Sequence, residues 1–386
     1  MDRLLDDSIA ILDELIAFPT VSADSNLGMV AHLAQRLSDA GARIELSHDD
    51  GGTKANLFAS LGPEADGGVV LSGHTDVVPV GGQPWTGDPF AMAARDGRLY
   101  GRGTCDMKGF IAAAVALLPQ LDGDRLRRPL HFAFTYDEEV GCLGARQLVE
   151  HLRARGLRPA AAIIGEPTGM RVVEGHKGCH EYTTLFTGRE GHGSVPERGV
   201  NAVEMAVRYV HRLLALRDEL IASAPEGSRF APPWTTVNVG RMAGGTAHNV
   251  IAGEAAVDWE MRPVRAEDAR HVRDALEAYC AQVLLPAMRA VAPEARIETR
   301  VIGEVAGLEP ADDNLARRLV SELTGQDGAE LVPFSTEAGL FQSLGTHCVV
   351  CGPGEIAQAH KPDEFVEIAQ LARCCRMLEG LAVNLT

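Results

Sequence analysis

Val69-Val70-Leu71-Ser72-Gly73-His74-Thr75-Asp76 is the stretch on which the fold of this 386-residue chain turns. Three consecutive apolar residues read as a strand buried on both faces, and the polar residues begin where that strand leaves its sheet. The same grammar recurs at Leu130–Phe134, followed by Tyr136-Asp137-Glu138-Glu139, and at Ala160–Ile164, followed by Gly165-Glu166-Pro167-Thr168. Ile44–Leu46 and Leu57–Ala59 add two further runs. Between them lie helical spacings: Ile9, Leu12, Ile16; then Met29, Val30, Leu33, Leu37, closed by Gly41; then Ile111–Leu118 and Ala145–Ala154. Strands alternating with helices predict an α/β fold, a mixed and mostly parallel sheet covered by helices. In such sheets ligands collect outside the carboxyl ends of the strands.

From about residue 179 the pattern changes. A strand at Tyr182–Phe186 leads to a helix at Val200–Leu216, a loop at Ala224–Pro233, strands at Thr235–Val239 and Ala255–Met261, and a helix over Ala266–Leu284. That order describes an α+β unit. The α/β pattern resumes after about residue 292 and closes with a helix from Asp363 onward. The expected organisation is a discontinuous domain, 1–177 and 291–386, interrupted by an inserted domain, 178–290. Length agrees, since about 150 residues per domain predicts two to three.

Composition excludes several classes of partner. The 53 acidic residues outnumber the 36 basic ones, for a net charge of −17, and lysine occurs only at 54, 108, 177 and 361. Such a surface binds phosphate backbones poorly, so no nucleic-acid partner is expected. No run approaches the roughly 18 apolar residues of a membrane span. The start, Met1-Asp2-Arg3-Leu4-Leu5-Asp6-Asp7, lacks the basic opening of a signal peptide. Eight scattered cysteines in a long chain read as reduced thiols in a cytoplasmic protein. Cys348-Val349-Val350-Cys351 reads as a buried strand, with no second pair to complete a zinc site.

The acids and histidines at strand ends carry the chemistry. His74 leaves the first strand, and Asp76, two residues on, can fold back to hold the imidazole tautomer. In Gly101-Arg102-Gly103-Thr104-Cys105-Asp106-Met107-Lys108-Gly109 three glycines crowd one acid, which either aims a carboxylate or caps a helix beginning near Gly109. Asp137-Glu138-Glu139 repel one another unless a cation neutralises them. Glu166 follows another strand, and His360 stands in Gln358-Ala359-His360-Lys361-Pro362-Asp363. Two divalent ions about 3.5–4 Å apart need a bridging carboxylate and terminal ligands on each. His74, Asp106, Glu139, Glu166 and His360 meet that count and leave Glu138 as a base. Imidazole with carboxylate and no thiolate set suits zinc, with cobalt or manganese as substitutes.

These motifs, with Gly191-His192-Gly193-Ser194-Val195-Pro196, resemble the M20 family of dinuclear metallopeptidases and deacylases in order and spacing, over nearly the whole chain. The resemblance implies a zinc-peptidase-like catalytic domain with an inserted lid that also forms a homodimer interface. It implies two Zn2+, with Asp106 bridging, His74 and Glu166 on one ion, and Glu139 and His360 on the other. Asp76 would orient His74, Glu138 would be the general acid/base, and His192 would stabilise the oxyanion. Gly193 stands where the family often has Ser or Ala, with little consequence expected. Gly175-His176-Lys177-Gly178, Gly199-Val200-Asn201-Ala202, Thr336-Glu337-Ala338 and Cys351–Glu364 are most similar to the branch that removes the acetyl group from N-acetyl-L-ornithine. Succinyl-diaminopimelate desuccinylase, aminoacylase and dipeptidase are the alternatives within the family. A non-catalytic scaffold is the alternative outside it, and its signature, a lost ligand or base, is missing here. Among substrate contacts, Arg262 is expected to grip the carboxylate, Asn249 to assist, and Glu337 to read a cationic side chain. His176 and Lys177 are hinge or packing candidates, and His248 is expected to have no role.

Overall fold

Val69–Leu71 becomes part of the central strand group of an eight-stranded sheet in the computed structural model, which describes residues 3–386. Its strands are β1 (Arg43–His48), β2 (Ala55–Leu61), β3 (Val69–His74), β4 (Leu130–Thr135), β5 (Ala161–Pro167), β6 (Val173–His176), β7 (Glu330–Val332) and β8 (His347–Gly352). They lie in the order β1-β2-β4-β3-β5-β8-β6-β7. The four middle strands, β4, β3, β5 and β8, run parallel, while β2 against β4, β1 against β2 and β6 against β8 are antiparallel. Every residue of β2, β3, β4 and β5 is buried, which is why these segments read as apolar runs rather than as alternating patterns. Because β3, β4 and β5 are parallel, His74, the Asp137–Glu139 turn and Glu166 leave the same edge of the sheet.

Helices α1 (Arg3–Ile16), α2 (Leu27–Asp39), α3 (Lys108–Ala116), α4 (Leu143–Ala154), α5 (Leu315–Thr324) and α6 (Ile368–Leu385) belong to the same unit. Helix α1 buries Leu4, Leu5, Ile11, Leu12, Leu15 and Ile16, one face at helical spacing. Each such side chain contributes about 1.5–3 kcal/mol on burial, so packing rather than intrinsic propensity holds the helix. Helix α3 is buried on every side. It begins at Lys108, directly after the Asp106 loop, and its Phe110 packs on Gly165, where a Cβ would fall 1.9 Å from the ring. The glycine before Glu166 is therefore required by this close approach.

The chain divides into two compact units, the first running up to Gly175 with Pro310–Leu331 and Thr336–Thr386, the second comprising His176–Glu309 and Val332–Ser335. Each has its own apolar core. The second unit is a four-stranded antiparallel sheet in the order Thr236–Gly244, Glu254–Arg262, Cys179–Thr187, Arg296–Val305. Helices Ala202–Ala222 and Ala266–Tyr279 supply much of the rest of its core, with Leu284 and Met288 added from the segment that follows and Tyr182 stacked 4.5 Å from Trp259. The unit extends beyond residue 290 because Arg296–Val305 pairs along Cys179–Thr187. That strand is mostly exposed, so it offers no apolar run to read in sequence. The last helix starts at Ile368 rather than Asp363, since Phe365–Glu367 first pairs with Arg98–Tyr100. Cys348 and Cys351 are free thiols within buried β8, and no described helix is long and apolar enough to cross a membrane.

Candidate metal centre

Asp106 is the hub of the strand-end cluster. Its Oδ1 lies 3.0 Å from His74 Nε2 and its Oδ2 lies 3.2 Å from His360 Nε2, so one carboxylate faces two imidazoles from distant parts of the chain. It does not cap α3, whose first residue is preceded by Met107 with no side-chain cap, so the capping alternative is set aside. His360 Nε2 also stands 3.0 Å from Glu139 Oε2, and His74 Nε2 stands 3.7 Å from Glu166 Oε1. Glu138 joins His74 and Glu166, and Glu139 joins His74 and Asp106, in two groups whose donor atoms lie within 4.8 Å of one another and could hold a metal ion.

The electrostatics follow from burial and from these pairs. Burial opposes ionisation of Asp106, but hydrogen bonds from His360 and His74 outweigh it and hold the carboxyl well below its usual range. His74 is raised well above its ordinary value, although burial works against that, because Asp106 and Glu166 face it. Hydrogen bonds to Asp106 and Glu139 push His360 up to about 10. Burial raises Glu138 to about 8, with His74 opposing and Glu139 and Asp106 adding. Glu166 is raised strongly by burial and by Asp106. Its Oε1 is buried without a hydrogen-bond partner. A bare carboxylate oxygen beside an imidazole, within a crowd of acids, is the arrangement that a cation satisfies. The donor set of imidazole nitrogens and carboxylate oxygens fits a divalent ion such as zinc.

A family model described as "Peptidase family M20/M25/M40" matches residues 70–384. The chain belongs to that family. The M20 chain is 37% identical over 360 residues to an acetylornithine deacetylase of Pasteurella multocida (strain Pm70), covering 91% of each. Among solved structures, an M20 family metallo-carboxypeptidase from Sulfolobus solfataricus superposes with a TM-score of 0.72 at 17% identity, covering 99% of each chain. A dinuclear metal-binding M20 peptidase from Bacillus subtilis gives 0.63 at 18% identity, covering 99% of this chain and 98% of its own. These two structures speak for the fold.

Asp76 of the M20 chain lies against His74 as expected, with its carboxylate Oδ1 3.6 Å from His74 Nδ1, but its closest contact is through the main chain. The imidazole is oriented by the Asp76 main-chain carbonyl, 2.9 Å from His74 Nδ1, so Nδ1 carries the proton and Nε2 faces the acids. The Asp76 carboxylate instead accepts the N–H groups of Glu138 at 3.0 Å and Glu139 at 3.3 Å and the hydroxyl of Ser22 at 2.7 Å. It shapes the turn that presents both acids. The first of the three successive acids, Asp137, leaves the site altogether: Lys54 Nζ reaches both of its oxygens at 2.6 Å. Lys54 was not anticipated, and its rarity as one of four lysines was the available signal. Cys142, whose Sγ lies 3.4 Å from Glu138 Oε1, was also missed.

Glu337 is placed unlike a reader of substrate side chains. It has no exposed surface, and its two oxygens accept hydroxyls from Ser72 at 2.5 Å and Thr135 at 2.8 Å, residues of β3 and β4. A carboxylate with no exposed surface and a hydroxyl on each oxygen ties β3 to β4 within the sheet, which speaks against the expected substrate contact.

The remaining expected residues lie in the second unit. His192 is exposed, and its Nδ1 lies 2.8 Å from the Ser194 hydroxyl and accepts the Ser194 N–H at 3.2 Å, which in the neutral ring leaves the proton on Nε2. Asn249 is exposed, and its main-chain carbonyl accepts the Gly193 N–H at 2.8 Å. A Cβ at Gly193 would fall 3.0 Å from that carbonyl oxygen, a tight approach. Arg262 pairs with Glu260 at 3.1 Å. His176 is fully buried and Lys177 Nζ donates to the Trp234 carbonyl at 2.8 Å, which is packing, and His248 is exposed.

Proposed function

We propose that this chain is a two-zinc amide hydrolase that removes the acetyl group from N-acetyl-L-ornithine, giving L-ornithine and acetate. The observation that carries the reaction type is Asp106, one carboxylate facing His74 with one oxygen and His360 with the other. The substrate choice leans on the likeness to the Pasteurella multocida relative over 91% of both chains. His74 and Glu166 would hold one ion, Glu139 and His360 the other, with Asp106 between them. When bound, such ions supply Lewis acidity that makes water nucleophilic near neutral pH.

The residues around them would divide the remaining work. Glu138 is half-buried beside His74, and burial strengthens its hold on a proton, so its carboxylate form would be basic enough to take one from the attacking water and pass it to the leaving amine. Asp76 keeps the Glu138 and Glu139 peptides in place during that transfer. His192, with its proton on Nε2, would donate to the developing oxyanion. Arg262 would grip the substrate carboxylate, for which a planar guanidinium is suited, with Asn249 assisting. We assign the second unit as the lid of a cytoplasmic homodimer and the reaction to arginine biosynthesis.

A panel of N-acyl amino acids on zinc-reconstituted protein tests the reading. N-acetylornithine should be hydrolysed with the highest kcat/KM, well above N-succinyl-diaminopimelate, neutral N-acetyl amino acids and dipeptides. Preference for the succinylated substrate or for dipeptides would overturn the substrate assignment. No hydrolysis of any member by metal-loaded protein would overturn the enzyme.

A further inference from the structure

Glu364 stands four residues after His360 and is 1% exposed, although His360 itself is half-exposed. Its Oε1 accepts three main-chain N–H groups at once, from Gly103 at 3.0 Å, Cys105 at 2.9 Å and Asp106 at 3.0 Å. Its Oε2 receives Nη1 of Arg102 at 2.6 Å. The loop that carries Asp106 is thus wrapped around a single carboxylate supplied by the loop that carries His360. The main chain returns the contact, with the Gly101 N–H donating to the Glu364 carbonyl at 3.0 Å.

Arg102, also 1% exposed, extends the connection. Its Nη2 donates to Gln83 Oε1 at 2.7 Å, Gln83 Nε2 donates to the His360 carbonyl at 2.9 Å, and Arg102 Nη1 reaches the Lys361 carbonyl at 3.3 Å. His360 and Asp363 both hold the left-handed backbone conformation, at φ 63° and 54°. Non-glycine residues keep that conformation only where their surroundings impose it. Here Gln83 holds the His360 carbonyl and Thr86 holds the Asp363 carboxylate, while Arg102 links Gln83 to Glu364.

A bland account makes Glu364 the counter-ion of a buried arginine. That account explains the bond to Arg102 and leaves the three converging N–H groups unexplained. One of them is the N–H of Asp106, whose peptide position decides where its carboxylate stands. We propose that Glu364 is the positioning residue of the metal centre, holding Asp106 so that its oxygens face His74 and His360 together and thereby setting the affinity for the second ion. The inference rests on Asp106 being the bridge between two ions. Glu364 touches neither substrate nor ion; it acts through the Asp106 peptide and through the Arg102–Gln83 chain to His360.

The test compares wild type, Glu364→Gln and Gln83→Ala. Zinc stoichiometry and stepwise affinities are read by competition with a chromophoric chelator, the visible spectrum of the cobalt-substituted proteins reports ligand geometry, and circular dichroism reports the fold. Glu364→Gln should stay folded and bind one ion as wild type does. Its second ion should bind at least tenfold more weakly, its cobalt spectrum should change, and its kcat should fall with KM within about twofold. Gln83→Ala, which severs the link to His360 and leaves Glu364 in place, should weaken the second ion severalfold without altering the melting temperature. Should Glu364→Gln fail to fold, Gln83→Ala decides: an unchanged second-ion affinity overturns the inference. Two ions bound by Glu364→Gln with wild-type affinities and spectrum also overturn it, while the two-ion reading stands. A wild-type protein that takes up only one ion overturns the bridge itself, and this inference with it.

Discussion

Single side chains decide the chemistry, and two of them give clear expectations. Glu138→Gln keeps the shape of the turn, because the Asp76 carboxylate holds its N–H rather than its side chain. Metal content should stay at the wild-type level while kcat falls by about 10²–10⁴-fold, the range of a lost general base. Appreciable residual turnover in a fully loaded variant would take Glu138 out of that role. His131, on β4, is buried with Nε2 unpartnered, and burial pushes it down to about 4 from 6.5. Between those values the unfolded chain binds a proton that the native chain refuses. The share of stability linked to this group is therefore complete above about pH 6.5 and declines as pH drops toward 4, by at most about 3 kcal/mol. Denaturant melts of His131→Gln across that window should show a flatter pH dependence than wild type. At this scale the sequence makes residue types and strand-end positions visible, which is why His74, Asp106, Glu139, Glu166 and His360 could be named together. It does not show pairings. Whether Asp76 offers its carbonyl or its carboxylate to His74, and whether Lys54 neutralises Asp137, depends on atoms brought together by the whole sheet.

Elements place those side chains, and glycine marks where they come closest. Gly165→Ala would drive a methyl into the Phe110 ring, 1.9 Å from the ideal Cβ position, and displace the strand just before Glu166. Overpacking of this kind costs about 1–3 kcal/mol, so thermal denaturation should show a lower midpoint and zinc titration a weaker ion. Gly193→Ala presses on the Asn249 carbonyl, and the contact is short enough that one of the two segments must yield. If His192 is the oxyanion donor, that variant should lose kcat with its zinc content intact; an unchanged kcat would show that the loop tolerates the shift. The buried parallel strands were legible because burial on both faces leaves continuous apolar runs. Arg296–Val305 was not, because an exposed edge strand carries charged residues, and sequence pattern cannot separate it from a loop.

Two apolar cores in one molecule mean that metal should matter unevenly. The acids and imidazoles of the candidate metal centre all belong to the first unit. Ligand binding to the native state alone stabilises by about 4 kcal/mol when free ligand is a thousandfold above Kd. Stripping zinc with a chelator should therefore lower hydrogen-exchange protection in β3, β4 and β5 while leaving the Cys179–Thr187 and Glu254–Arg262 strands unaffected. Equal loss in both sheets would contradict separate cores. The position of β8 carries one more consequence. It lies between β5 and β6, inside the sheet, and it precedes His360 by only a short loop. His74 and His360 stand 286 residues apart in a chain synthesised from the other end. At about 5–20 residues per second, roughly 15–60 s separate their emergence from the ribosome. Asp106, Glu138, Glu139 and Glu166 are all made within that interval, before β8 and the last imidazole, so the metal site and the middle of the sheet can be completed only once the C-terminal part of the chain has emerged.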